Sequence, residues 1–241
     1  MMDEHDDLTT SVLELASLVA DHATLEATLS RIVGFATQLV HAADGGVLTL
    51  LDGGPGVTVS TDALVAAAEM ARLEAGEGPS VTVVAAQRVV TSGSLGTDQA
   101  WPKFGGRAAR LGIHSALSVP LTLNESLLGV MTLYARARHA FGPGDALVAQ
   151  EYARPAAAVA RNAHVLARSE VQIKQLNEAL RIRPLIDQAI GIIRLRTGKS
   201  AAEAFQRLCE ISNAEHTKVS DVARDIVEEA VRSANARRRT S

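Results

Sequence analysis

Cysteine is almost missing from this chain. Cys209 is the only one among 241 residues. That excludes an intrachain disulfide framework and any all-cysteine metal site, and it fits a reducing cytoplasm. Long apolar runs are missing too. The longest stretch free of Asp, Glu, Lys and Arg, Leu111–Asn124, contains His114, Ser115, Ser118 and Pro120. A membrane span needs about 20 predominantly apolar residues. The first residues, Met1-Met2-Asp3-Glu4-His5-Asp6-Asp7, are acidic, the reverse of the basic start of a signal peptide. A soluble, cytoplasmic protein without membrane contact is expected.

Catalytic signatures are also lacking. The histidines form no H-x-x-x-H pair and join no carboxylate motif, so no metal site is expected. Asp52-Gly53-Gly54-Pro55-Gly56 lacks the Gly-Lys-Ser/Thr that a phosphate-binding loop needs. No Gly-x-Ser-x-Gly elbow occurs. The chain is therefore read as a non-enzyme, with no catalytic residues and no cofactor.

What is present is an ordinary globular composition, 47% apolar and 21% charged. The net charge of −3 conceals a division. Residues 1–150 carry 8 basic and 16 acidic side chains, hence −8; residues 151–241 carry 16 and 11, hence +5. Two functions are implied, with any nucleic-acid role in the basic part.

Residues 8–40 have helical periodicity, through Leu8, Val12, Leu15, Leu18 and Val19, then Leu25, Leu29, Ile32 and Val33. Asp44-Gly45-Gly46 reads as a turn, and Val47–Leu51 and Val57–Ser60 as strands around the Asp52–Gly56 turn. An Ala-rich helix over Asp62–Leu73 and a short one from Pro79 to about Gln87 follow. Next come a strand over Arg88–Ser94 and a helix over Trp101–Leu111. Ser115–Leu123 and Ser126–Ala135, joined by Asn124-Glu125, make the clearest hairpin. The fold class is α+β, a mainly antiparallel sheet with flanking helices. A long helix then starts near Gly144.

Beyond Ala163 no strand is expected. Leu166, Ile173 and Leu180 lie seven apart and Leu176 takes a complementary position, the pattern of a short coiled-coil dimer seam. One long helix packed on its own chain is the alternative. Pro184 should kink or restart the helix, which should end at Gly198. Ser200-Ala201-Ala202-Glu203 is a capping box. The helix it opens should bury Ala201, Ala204, Phe205, Leu208 and Ile211, with Cys209 in the helical core. Ser220, or Thr217, should cap a last helix with an apolar stripe of Val219, Val222, Ala223, Ile226, Val227 and Ala230. The result is a C-terminal three-helix bundle.

Two families are resembled. Ile186–Ile193, Arg196-Thr197-Gly198, Ser200–Phe205, Leu208, Ser212 and Lys218–Ala223 resemble an ANTAR domain, the RNA-binding output domain of transcription antiterminators. Gly76-Glu77-Gly78-Pro79, Trp101–Phe104, Gly112–Leu121 and Leu127–Leu133 resemble a GAF domain, a sensory α+β domain. The order resembles a GAF–ANTAR family common in actinobacteria. Ser80 stands where many such GAF domains have Cys, against thiol redox sensing. Arg194 replaces a frequent Met, and His216-Thr217-Lys218 a frequent Asn-Arg-Lys.

The resemblance implies a GAF sensory domain over 10–163, a coiled-coil linker over 164–183 and an ANTAR domain over 184–231. It implies an RNA-binding antitermination regulator that grips stem-loops in nascent transcripts as a homodimer, with an unidentified small molecule in the GAF domain. The candidate RNA contacts are Gln188, Ala189, Gly191, Arg194, Arg196, Lys199, Ser212, Asn213, His216 and Lys218. Cations bind phosphates, and polar groups reach unpaired loop bases. Gly191 and Ala189 have a second reading, close helix packing. The basic Arg237-Arg238-Arg239 reads as a solubilising end. Trp101 reads as core or lid anchor. The alternatives to RNA are a protein-interaction module and a DNA-binding helical pair.

Overall fold

The structure, a computed structural model, describes residues 23–51 and 56–239, apart from the side chains of Ala179, Arg181, Arg238 and Arg239. The amphipathic stretch Leu8–Val19, the acidic start and Asp52–Pro55 lie outside the described residues. The chain divides into two compact units between Ala167 and Arg168.

In the first unit, helix α1 (Leu25–Leu39) is opened by Thr24, whose Oγ1 accepts from Ala27 N. Its apolar stripe, Leu29, Ile32, Val33 and Ala36, is buried. Strands β1 (Gly45–Leu50) and β2 (Val57–Ser60) pair antiparallel. Helices α2 (Ala63–Ala75) and α3 (Pro79–Ala86) lead to β3 (Val90–Ser92), then α4 (Pro102–Arg110). Strands β4 (Ser115–Leu123) and β5 (Ser126–Ala135) form the hairpin the sequence implies. Positive φ at both Asn124 (49°) and Glu125 (65°) gives the backbone twist that a two-residue hairpin turn needs.

The sheet order is β2-β1-β5-β4-β3, antiparallel throughout. The central strands are covered on both faces, which explains their nearly continuous apolar runs. One face packs Leu117, Val119, Met131 and Leu133 against α1 and the start of α5 (Pro143–Thr197). Tyr152 on α5 donates to Ile32 O at 2.9 Å in this layer. The other face packs Val47, Ala116 and Tyr134 against Val65, Ala68, Phe104 and Ala108 of α2 and α4.

The turn expected at Gly45-Gly46 is instead strand, paired with Tyr134 and Leu133. The glycines are there for space. A Cβ on Gly45 would sit 2.7 Å from Val65 Cγ2, and one on Gly46 2.8 Å from Val33 Cγ2. Close packing between sheet and helices, not turn geometry, selects them.

Of the two outcomes expected at Pro184, a kink or a restart, the restart does not occur. Helix α5 runs through Pro155 and Pro184 without interruption. A proline removes one backbone donor and crowds the carbonyl four residues back, which can bend a helix without ending it.

The second unit joins the end of α5 to α6 (Ala201–Glu215) and α7 (Val219–Arg239). Gly198 takes φ 72° and donates to Arg194 O, closing α5 as expected. The capping box is complete. Glu203 N donates to Ser200 Oγ, and Ser200 N donates to Glu203 Oε2. Ala189 and Ile193 from α5, Ala204 and Leu208 from α6, and Val222 and Ala223 from α7 form the core.

Three local expectations change. Phe205 and Ala201 are exposed, so α6 buries a narrower stripe than its pattern suggests. Cys209 is half-buried and outside the core cluster. Neither Ser220 nor Thr217 caps α7. Lys218 O takes the first helical bonds, from Asp221 N and Val222 N, which places Ser220 inside the helix. Ser212 Oγ instead donates to Thr217 O, and Thr217 N to Ser212 O, fastening the α6–α7 link.

Candidate nucleic-acid interface

The end of α5 presents a row of side chains on which the bundle makes no claim. Helical spacing and burial alternate cleanly there. Ala189 and Ile193 point into the core, while Gln188, Gly191, Arg194 and Leu195 are exposed. Gly191 decides between its two readings within this chain. A Cβ built on it meets nothing within 4 Å, so close helix packing does not account for it. A solvent-facing glycine in a helix interior costs about 1 kcal/mol relative to alanine. No contact among the described residues offsets that.

The cations sort into two groups. Arg196 pairs with Glu229 across from α5 to α7 at 3.3 Å, both side chains about half exposed. Arg207 pairs with Glu210, Arg224 with Asp221 and Arg232 with Glu228, each within one helix. Exposed pairs of this kind contribute at most about 1 kcal/mol. Among the described residues, Arg183, Arg194, Lys199 and Lys218 make no ion pair. All four are exposed.

The candidate contacts form two clusters rather than one. Gln188, Gly191, Arg194, Arg196 and Lys199 belong to α5 and the link that follows it. Asn213, His216 and Lys218 surround the link from α6 to α7. Helix α6, with 15 residues, separates the two links by about 22 Å along its axis. One ligand group cannot touch both; an extended polyanion can.

Two candidates leave the contact set. Ala189 has 0% exposure and belongs to the bundle core. Ser212 is buried, and its hydroxyl is committed to Thr217 O. Both belong to the packing of the bundle. Leu195, which the sequence reading did not single out, is 89% exposed. It falls on the Gln188–Gly191 side of the helix, away from Ala189 and Ile193.

The seam candidates are uncovered. Leu166, Ile173, Leu176 and Leu180 are 49–62% exposed, so nothing among the described residues buries them. Val165 and Val171 add to the exposed apolar surface of α5.

The motif residues of the sheet-containing unit behave differently, because structure uses them. Gly76 closes α2 in the left-handed region, with φ 68°. Glu77 Oε1 accepts from Lys103 N and Phe104 N and so caps α4, bringing the Gly-Glu-Gly-Pro and Trp-Pro segments together. Trp101 is buried, and its Nε1 donates to Thr82 Oγ1 of α3 at 3.0 Å. Arg72 grips Glu69 through two nitrogens. Burial opposes the charge on Arg72, but the hydrogen bonds and charge of Glu69 more than offset this and raise its pKa. Burial, then the Glu69 charge, push the Tyr134 phenol above its ordinary value, with Arg72 opposing.

Two cavities in this unit are small. One of about 30 Å³ lies among Leu50, Leu51, Leu128, Arg161 and His164, and one of about 10 Å³ includes Asp62, Ile113 and Tyr134. Each suits about one water, whereas small-molecule pockets run to several hundred Å³. Among the described residues, no group of three or more His, Cys, Asp or Glu is placed to hold a metal. No helix there is long and apolar enough to cross a membrane.

Comparison with known proteins identifies both units. Residues 22–159 match the family model of the GAF domain, and residues 174–227 that of the ANTAR domain. No curated protein matches. Similar solved structures include the GAF domain of a phosphoenolpyruvate-protein phosphotransferase from Coxiella burnetii. It is 17% identical, with a TM-score of 0.49, over 67% of this chain and 97% of that one. The GAF domain of the corresponding Acinetobacter protein is 14% identical, with a TM-score of 0.48 over 67% and 97%. Free methionine-R-sulfoxide reductase from Neisseria meningitidis is 15% identical, with a TM-score of 0.48 over 66% and 91%. The chain belongs to the GAF domain family, and its GAF domain is followed by an ANTAR domain.

Proposed function

We propose that this protein is an RNA-binding regulator of transcription antitermination. Its GAF domain senses a signal or assists dimerisation, α5 transmits the state, and the ANTAR unit binds stem-loops in a nascent leader transcript. Binding holds the transcript in an antiterminator form, so the downstream terminator does not form. The protein works in the cytoplasm, as a homodimer joined through Leu166, Ile173, Leu176 and Leu180, so that paired ANTAR units grip paired hairpins. The boundaries are a sensory part over 10–163, a linker over 164–183 and an output part over 184–231. Its role is regulatory, not catalytic.

One observation carries this reading: the ANTAR match covers the segment that leaves Arg183, Arg194, Lys199 and Lys218 exposed and outside any ion pair among the described residues. Surface cations free of internal pairing are available for phosphates. Their two clusters suit a polymer better than a small anion.

The test uses the full chain. It is titrated at two salt concentrations with a two-hairpin RNA selected from a pool with randomised loops, with duplex DNA of the same stem sequence, and with scrambled RNA. The selected RNA should bind best. Lys199→Ala and Lys218→Ala should each weaken it and reduce the slope of log affinity against log salt by about 0.7–0.9 per lost phosphate contact. Equal weak binding of all three nucleic acids would overturn the RNA reading. Preference for the duplex would favour DNA recognition instead.

A further inference from the structure

Leu195 is the most exposed of the large apolar side chains identified, at 89%. Its setting is unusual for an apolar residue. Gly191 precedes it by one helical turn and Gly198 follows it by one, and a Cβ on either would meet nothing within 4 Å. The leucine therefore stands proud, with open space on both sides along the helix. Around it are Arg194, Arg196 and Lys199, and no acid occurs from Gly191 to Lys199. Arg194 and Lys199 make no ion pair among the described residues, although the charge of Lys199 acts on the exposed Glu203.

That combination selects the occupant. A symmetric contact with a second copy would set Arg194, Arg196 and Lys199 against themselves, with like charges facing across the interface. The complement must be anionic and must offer an apolar face. Paired nucleic acid fails the second requirement, because its bases are stacked and the deep groove of an RNA helix is closed to side chains. An unpaired loop base meets both: its phosphates meet the cations, and its unstacked ring offers an apolar face.

We infer that Leu195 is a base-contacting residue, packing against an unpaired loop base while Arg194 and Lys199 hold the flanking phosphates. Gly191 and Gly198 leave the gap through which the base and its backbone approach. This rests on the RNA-binding function proposed above and adds a specificity-determining residue to it.

The test uses full-length protein, the hairpin RNA selected from the randomised-loop pool, and a version whose loop nucleotides are replaced one at a time by abasic sites. Abasic replacement removes the ring but keeps the phosphate charge. Wild-type protein should lose roughly tenfold in affinity at one loop position, about the value of burying part of a leucine. Leu195→Ala should lose a similar factor on intact RNA and become indifferent to that abasic site, because the two changes remove one shared contact. Its salt slope should equal that of wild type, unlike Arg194→Ala, and Leu195→Met should keep most of the affinity. Leu195 is almost fully exposed, so the thermal unfolding of Leu195→Ala should match wild type.

Wild-type affinity for Leu195→Ala, or undiminished sensitivity to every abasic site, would overturn the inference while leaving RNA binding intact. If selection returns no hairpin that binds wild-type protein, the RNA function fails and this contact with it. Binding to phosphatidylglycerol vesicles that is lost in Leu195→Ala would assign the residue to a lipid surface and overturn it too.

Discussion

The GAF and ANTAR units use their motif residues in opposite ways. In the GAF unit the signature side chains are consumed by the fold. Glu77 caps α4, Trp101 is tied to Thr82, and Phe104 is fully buried. In the ANTAR unit the capping box and the Ala189 core position are structural, but Gly191 packs against nothing and the side chains of Gln188, Arg194 and Lys218 make no hydrogen bond or ion pair among the described residues. A motif thus carries two kinds of residue. Those whose hydrogen bonds and contacts close within the chain maintain the shape. Those left over are the candidates for contact with something else.

The sharpest way to break this comparison is to remove a consumed residue. Phe104→Ala deletes a fully buried ring from the second core layer. A loss of about 3–5 kcal/mol is expected in the denaturant unfolding of the GAF unit. A loss under 1 kcal/mol would mean that the GAF motif is not structural in the sense argued. The seam sits at the other pole. Ile173 and Leu180 are 58% and 61% exposed, so Ile173→Asp with Leu180→Asp should halve the mass in sedimentation. It should leave the GAF unfolding transition in place. An unchanged mass would reject the seam.

Much of this division is legible in the sequence, and the exceptions have physical causes. The apolar strand runs, the Asn124-Glu125 turn and the Ser200–Glu203 box declare themselves locally, because neighbours in sequence supply the signal. Gly45 and Gly46 mislead because glycine serves both turns and close packing. Only the positions of Val65 and Val33, far along the chain, tell the two apart. Pro184 leaves a kink and a restart both open, because a proline states what one backbone bond loses, not whether the rest of the helix survives it. Ala189 and Ser212 entered the site as motif members. Their burial follows from three helices meeting, which no single helix pattern encodes.

A smaller effect tests a residue that the ANTAR unit does consume. Bonds from the Ser200 hydroxyl and then the Ser200 N–H, and the nearby Lys199 charge, hold the Glu203 carboxyl below its ordinary value of 4.5. A lowered carboxyl pKa in the folded state adds stability above the unfolded value, and that is lost as pH falls through the folded one. The helical signal of the ANTAR unit should therefore weaken as pH drops below about 4.5. Ser200→Ala should lose about 1 kcal/mol at neutral pH, the usual worth of a cap, and should flatten that acid response. An acid response of unchanged size in Ser200→Ala would detach it from the capping box.

Gly191→Ala gives the smallest change in stability and the most direct view of a residue left over. A methyl group there meets nothing. Alanine also restricts the unfolded chain more than glycine does. The variant should therefore be more stable than wild type, by about 0.5–1 kcal/mol. A glycine kept against its own helix preference, in open space, is accounted for if a ligand must come closer than a methyl allows. Titration with the selected hairpin RNA should then show weaker binding by a protein that melts at a higher temperature. Loss of both stability and affinity would return Gly191 to packing, and a gain in stability with unchanged affinity would remove it from the interface. Only opposed signs match a residue whose role lies outside the fold.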